Sequence, residues 1–315
     1  MLSAMSSRNP FSKTQDDREA SRVSDEPNSP TDAVQALDPG LYIVATPIGN
    51  LRDITLRAID TLQAADEVLA EDTRVARRLM DAHGIRAKLT PYHDHNGAKR
   101  RPEVLAKLED GAAIALISDA GTPMVSDPGW KLAHEALEAG HKVIPLPGAS
   151  ALLAGLVASG MASDRFMFCG FLPPKSGARK SSLTELANVP GTLVYYESGP
   201  RLADSLRDAA ATLGADREAA VCRELTKLFE ETRRGTLQSL ADHYAEHGHP
   251  KGEIVVLVGP PMKVEADERT IDAALTEALK SQSVKQAAAE IADLFDLPKR
   301  QMYQRALIPV RHPSG

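Results

Sequence analysis

The stretch that most constrains this chain is SDAGTPMVSDPG, Ser118 to Gly129, which follows the aliphatic run AAIALI, Ala112 to Ile117. An aliphatic run of that length, bounded by turn residues, suits a buried strand of a parallel sheet. The stretch after it holds two glycines, two prolines, two aspartates and several small residues. Gly121 lacks a side chain and Pro123 stiffens the turn, so bare backbone can approach a ligand here. Pro128 fits the first turn of a following helix, Trp130 to Gly140. In open α/β sheets, ligands bind at the carboxyl ends of the strands, where such a loop lies. Taken alone the stretch is equally compatible with an ordinary βα loop.

Two further loops of this kind follow strand-like runs: TPIGN after LYIVAT, and PLPGAS within HKVIPLPGASA. None of the three contains the dinucleotide fingerprint or the Walker pattern. Helical spacing separates them, as in ITLRAIDTLQAA, where Ile54, Ala58, Ile59 and Leu62 share a face. AEDTR runs from a short strand into a helix start at Asp72 or Thr73, and PEVLAKLEDG is expected to form the helix before AAIALI. The alternation predicts an α/β domain over 39–158 with a mostly parallel sheet. The register changes between Gly155 and Arg165, and a second α/β domain with a mixed sheet is expected over 159–262. Its strands are read at Phe166–Phe171, Thr192–Ser198, Glu218–Leu225 and Gly252–Gly259. Three helices over 268–310 form a helix–turn–helix outline, with Ser283 as an N-cap and Pro298 near a helix start. Residues 1–38, polar and poor in apolar anchors, are expected to be a disordered tail.

The formal net charge of −6 argues against broad non-specific polyanion binding, though it permits a local basic face. No apolar run reaches membrane-spanning length, and the N-terminus lacks signal-peptide regions. Cys169 and Cys222 lie far apart in apolar patterns, as reduced residues of a cytoplasmic protein do. His93 with His95, and His243 with His247 and His249, lack a completing ligand motif, so no metal site is expected.

In order, the chain carries LYIVATPIGNLRDITLRAI, AEDTR, LISDAGTPMVSDPG, PLPGASA, GFLPPK, YYES and CRELTKLFEE. With these motifs it resembles the tetrapyrrole methylase superfamily of S-adenosylmethionine-dependent methyltransferases. Within that superfamily, AEDTR and RELTKLFEE resemble the bacterial branch that 2′-O-methylates a cytidine of 16S ribosomal RNA in the small subunit. Two departures are visible: DHNG, with Asp94 and Gly97, stands where EHNE is expected, and ESGPR, with Gly199, where ESPHR is expected.

The resemblance implies a two-domain class III methyltransferase fold, a C-terminal helical extension, a homodimer, and S-adenosylmethionine in the interdomain cleft. It implies cofactor contacts at Pro47, Asp119, Gly121, Thr122, Ser126, Pro147, Gly148 and Ala149. Asp127 is read equally as a ligand contact or a helix cap. Methyl transfer to a ribose hydroxyl needs alignment and removal of one proton. Charged motif residues suited to that are Asp72, Arg74, Glu197, Arg201, Arg223, Glu224, Lys227 and Glu230, with Glu197, Arg223 and Lys227 the leading candidates. Structural ion pairing is the competing reading for each of them.

Basic clusters at Lys99, Arg100 and Arg101, at Lys175, Arg179 and Lys180, and at Lys299, Arg300 and Arg305 are candidate phosphate contacts, the last two most directly. Stacking on RNA bases would rest on Tyr92, Phe171 or Tyr195. Two alternatives stay open: a small-molecule tetrapyrrole methyltransferase, and a cofactor-binding ribosome-assembly protein without turnover. Neither DNA nor a membrane is an expected partner.

Overall fold

Aliphatic runs bounded by turn residues become two five-stranded sheets in the computed structural model, which describes residues 36–126, 129–261, 268–295 and 297–307. The expectations for the tail before residue 36, for Asp127 and for Pro128 lie outside the described residues.

The first sheet comprises β1 (Gly40–Val44), β2 (Glu67–Ala70), β3 (Leu89–Pro91), β4 (Ala113–Ile117) and β5 (Val143–Leu146). Its order is β3-β2-β4-β1-β5, every pair parallel. Parallel strands need crossovers, and helices supply them on both faces. On one face α1 (Leu56–Ala64) and α2 (Thr73–His83) bury Ala58, Leu62, Ala76 and Met80 against Val44, Val68 and Ala115. On the other, α3 (Asp94–Glu109) and α4 (Trp130–Glu138) bury Val104, Leu108, Leu132 and Ala136 against Leu41, Ile43, Ile114 and Leu116. Neither face of β1 or β4 meets water, which is why both strands are apolar at every position.

The helix expected from Pro102 starts instead at Asp94. Asn96 Oδ1 accepts from the His93 N–H at 2.9 Å and caps the entry. Pro102 removes one intrahelical hydrogen bond, and the buried Val104 and Leu108 beyond it keep the helix continuous.

The second sheet comprises β6 (Phe166–Phe171), β7 (Thr192–Ser198), β8 (Glu218–Arg223), β9 (Glu231–Thr236) and β10 (Glu253–Val258), in the order β6-β7-β10-β8-β9. Only β6 and β7 run parallel. β9, sequence ETRRGT, has no strand-like hydropathy and escapes a pattern-based reading. It exists because its backbone completes a full ladder with β8, and a sheet edge tolerates charge.

Helices α6 (Ser176–Leu186), α7 (Gly199–Leu213) and α8 (Leu237–His247) cover one face of this sheet. The other is covered by α5 (Ala151–Ser159), whose Leu156 packs with Val194, Ala220, Cys222, Val255 and Leu257. Packing therefore groups α5 with the second sheet, so the chain crosses between sheets before α5 and not near Gly160. Three further helices, α9 (Glu268–Ala278), α10 (Val284–Phe295) and α11 (Lys299–Ala306), share a core of Ile271, Leu275, Ile291 and Met302. Pro298 sits one position earlier than expected, as the residue capping α11. Among the described residues no helix is long and apolar enough to cross a membrane.

Candidate active site

Strand order decides which loops can meet. β2, β4, β1 and β5 are neighbours, so AEDTR, SDAGTP, TPIGN and PLPGAS emerge side by side at their carboxyl ends. Thr46 and Gly121 exchange both backbone hydrogen bonds, at 2.9 and 3.0 Å. Thr122 Oγ1 donates to the Ala149 carbonyl at 3.3 Å, and Asp119 Oδ1 accepts from the Asp72 N–H at 2.9 Å. Four motifs are thereby fastened into one rim.

In the second sheet, β10 runs antiparallel between β7 and β8, which sets Ile254 opposite both Glu197 and Arg223. The amino end of β10 thus lies beside the carboxyl ends of YYES and CRE. Between the two rims is a cavity of about 220 Å³. The first domain lines it with Ile48, Ala120, Gly121, Thr122, Val125 and Ser126, and the start of α5 adds Ser150 and Ala151. The second domain contributes Phe171, Tyr196, Glu197, Leu225 and the Glu253–Val255 segment.

Of the expected cofactor contacts, Gly121, Thr122 and Ser126 line this cavity. Pro47, Asp119, Pro147, Gly148 and Ala149 belong to the same loops but do not line the cavity: Asp119 holds the Asp72 N–H, Ala149 accepts from Thr122, and Pro147 and Gly148 are exposed. The reason for Gly121 differs from the expected one: its N–H and C=O are taken by Thr46 and do not face a ligand. Its φ of +84° and the 3.2 Å from a would-be Cβ to Ile48 Cγ2 are what require glycine. Gly97 lies against Tyr92 and Gly199 against the Pro250 carbonyl; neither lines the cavity.

Every non-glycine residue with positive φ among the described residues sits in one of two cleft loops: Met124 and Ser126, or Glu224 and Thr226. Such backbone persists only where surroundings over-determine it, and it clusters at functional sites. Around Glu224 those surroundings are electrostatic. Lys227 Nζ donates to Glu224 Oε1 at 2.7 Å and to Glu253 Oε2 at 3.1 Å, while its stem lies over Gly49 of the first domain. Burial lowers the Lys227 pKa, but the bonds to Glu224 and Glu253 outweigh it and the net shift is upward. Lys227 is therefore an ion-paired cation between the domains, not a ready proton acceptor.

Arg223 donates to the Lys251 carbonyl and to Glu231, and it does not line the cavity either. Of the three leading candidates, only Glu197 does. Its side chain is fully buried and its Oε1 accepts from the Ser198 N–H at 2.8 Å. Arg201 pairs with it at 3.2 Å. Asp72 caps α2, and Arg74 hydrogen bonds hold its carboxyl well below the usual carboxylate range. Glu230 accepts from the Thr226 N–H at 2.6 Å and so braces the loop. Glu253, which heads an otherwise aliphatic strand, escaped the sequence reading. Only the antiparallel placement of β10 brings it to the site.

Several surface expectations need correction. Arg179 is 3 % exposed and donates to Asp208 at 2.6 and 2.8 Å, so it anchors α6 to α7 and is not open to phosphate. Lys180 also reaches Asp208, at 3.4 Å. Arg305 is clamped by Asp272 and Glu268, and Lys299 pairs with Asp293. Arg101 pairs with Glu135 and Arg100 with Glu103. Lys175 and Arg300 are exposed and have no ion-pair partner among the described residues. Tyr92 and Tyr195 are buried in the two cores and cannot stack on RNA; Phe171 is 59 % exposed. Among the described residues no group of three or more His, Cys, Asp or Glu side chains could hold a metal ion.

Residues 40–241 match the family model for Tetrapyrrole (Corrin/Porphyrin) Methylases. The chain belongs to this family. Residues 265–308 match a second model, the RsmI C-terminal HTH domain. Ribosomal RNA small subunit methyltransferase I of Mesorhizobium japonicum is 52 % identical over 89 % of this chain and 95 % of its own length. The protein of that name from Haemophilus influenzae is 45 % identical over 85 % and 96 %. Likeness at that level across nearly the whole length places the chain in the small-subunit branch of these methylases.

Among solved structures, the chain resembles diphthine synthase (TM-score 0.56, 14 % identity, 70 % of this chain and 89 % of that one). It also resembles uroporphyrin-III C-methyl transferase from Thermus thermophilus complexed with S-adenyl homocysteine (TM-score 0.50, 20 % identity, 71 % and 99 %). These last two establish the shared class III methyltransferase fold.

Proposed function

We propose that this methylase transfers the methyl group of S-adenosylmethionine to the 2′-hydroxyl of a cytidine ribose in 16S ribosomal RNA, at the decoding centre of the small subunit, in the cytoplasm. The observation that carries the reading is the cavity shared by the first-domain loops and the YYES strand end, with buried Glu197 on its wall. The donor set suits the cofactor. Ile48, Val125 and Val255 offer apolar walls to a flat adenine, Thr122, Ser126 and Ser150 offer hydroxyls, and Glu253 is a carboxylate for its cationic groups. When bound, the cofactor supplies a methyl group on a positively charged sulfur.

The remaining work falls to side chains. The fastened loops hold the methyl donor at a fixed distance from the acceptor, which is the larger part of such a displacement. Glu197, fully buried and saturated by Arg201 and Ser198, acts by holding the Arg201 guanidinium and the YYES strand end in place at the cavity wall. Lys227 ties the Glu224 loop to the head of β10 and lays its stem over Gly49 of the first domain. Of the three basic clusters, Lys99, Lys175 and Arg300 are the residues left to meet RNA phosphates. A homodimer is supported by apolar surface at Leu153 and Val157 of α5 and at Phe166 and Met167 of the edge strand β6, which a second copy would cover.

Incubation with methyl-labelled S-adenosylmethionine and small ribosomal subunits, followed by nuclease mapping, tests the reaction. The expected product is a labelled cytidine whose 3′ linkage resists alkali. Label in a tetrapyrrole and none in RNA would favour the small-molecule alternative. Binding without transfer to either would favour the assembly-protein alternative.

A further inference from the structure

Strand β6 pairs with β7 through Phe168 opposite Val194 and then Phe171 opposite Tyr196, so three steps on one strand match two on the other. The extra residue is a β-bulge, and Gly170 at φ +62° supplies its left-handed turn. Without it, Phe171 would point away from Phe168, into the core face where Cys169 packs near Tyr195. With it, both phenyl rings flank Tyr196 edge-on, at centroid distances of 4.9 and 5.5 Å. Phe171 and Tyr196 line the cavity beside Glu197. Arg201 locks this arrangement: its Nη2 donates to the carbonyl of Leu172, next in chain after Phe171, at 2.7 Å and to Glu197 Oε2 at 3.3 Å. One guanidinium thus sets both the aromatic corner and the buried carboxylate.

We propose that the Phe171–Tyr196 corner receives the base of the target nucleotide, splayed out of the RNA, with its ribose toward the cofactor cavity. The Phe171 ring is 59 % exposed and presents an uncovered flat face at the cavity. A pyrimidine is a flat partner for such a face, and stacking on aromatic side chains is how proteins hold unpaired bases. The chain is poor in aromatic residues, with six Phe, six Tyr and one Trp, yet three of them are gathered here.

The inference rests on the RNA reading, and the test separates the two. Wild-type protein is first assayed on small subunits; absence of ribose methylation overturns the reading itself. With an active wild type, Phe171→Ala is expected to lower kcat/KM by about 10- to 100-fold, from the usual worth of one base–aromatic stack. Calorimetric affinity for S-adenosylmethionine and the melting temperature should stay unchanged. Phe171→Trp should retain activity and Phe171→Leu, which keeps apolar bulk but no flat face, should not. Wild-type kcat/KM in the alanine variant, equal activity of the leucine and tryptophan variants, or a fall in cofactor affinity would each overturn the assignment.

Discussion

The Ser118–Ser126 loop and the Glu224–Glu230 loop meet at one cavity, and both hold non-glycine residues in left-handed backbone. They are secured by opposite means. The first is fastened by backbone and hydroxyl bonds, Thr46 to Gly121 and Thr122 to Ala149, with small residues packed behind it. The second is fastened by charge: Lys227 between Glu224 and Glu253, and Glu230 on the Thr226 N–H. A loop held by neutral hydrogen bonds and packing keeps its shape across pH and salt. A loop held by ion pairs can be opened by either. The difference suits a rigid cofactor floor facing a rim that closes the two domains together.

The sharpest way to break this contrast is Gly121→Val. A β-branched residue at φ +84°, beside Ile48, costs roughly 1–3 kcal/mol in backbone strain and displaces the floor. We expect cofactor affinity by calorimetry to fall at least about 100-fold, at every pH and salt concentration. Unchanged affinity would remove this loop from the cofactor site.

Lys227→Met should act more mildly. It leaves the half-buried Glu224 without its cation and costs roughly 1 kcal/mol in stability, read from denaturant midpoints, since the exposed Glu253 is resolvated. Cofactor affinity should change less than in the glycine variant. The thermal stability of wild type should decline with salt more steeply than that of the variant.

A pH scan sharpens the same point. The Lys227 hydrogen bond holds the Glu224 pKa below its usual value, so its contribution is full above the unfolded pKa and is lost as pH falls through the depressed folded one. The raised pKa of Lys227 has the opposite sign: its contribution is full below the unfolded value and is lost as pH rises through the folded one. The wild-type minus Lys227→Met stability difference should therefore be greatest between these limits and shrink at both ends.

The smallest effects belong to charges that neither loop uses. Lys175→Gln with Arg300→Gln should leave melting unchanged and flatten the salt dependence of RNA binding by nearly one unit per lost phosphate contact. An unchanged slope would place the phosphates elsewhere.

The periodicity of the chain by itself determined the first sheet, because strands buried on both faces must be apolar throughout, as Ala113–Ile117 is. It also marked the glycine- and proline-bearing loops, whose motifs carried the family resemblance, since small and rigid residues have few other uses after a strand. It did not reveal β9, whose charged residues form a strand only because β8 offers a ladder. Nor did it separate Arg179 from Lys175, four residues apart in one basic cluster. Asp208, brought over from α7, buries the first and leaves the second in water.

Likewise, nothing local distinguishes Glu197 from Lys227, or points to Glu253 at all. Tertiary structure alone decided which of these groups face the cavity, because that depends on strand order. The β4-β1-β5 neighbourhood gathers three loops that are distant in sequence, and antiparallel β10 carries a carboxylate to the far ends of β7 and β8. Short-range pattern reports how each residue is solvated along its own element. The partner of a charge is chosen by other elements of the fold, as α7 supplies Asp208 to Arg179.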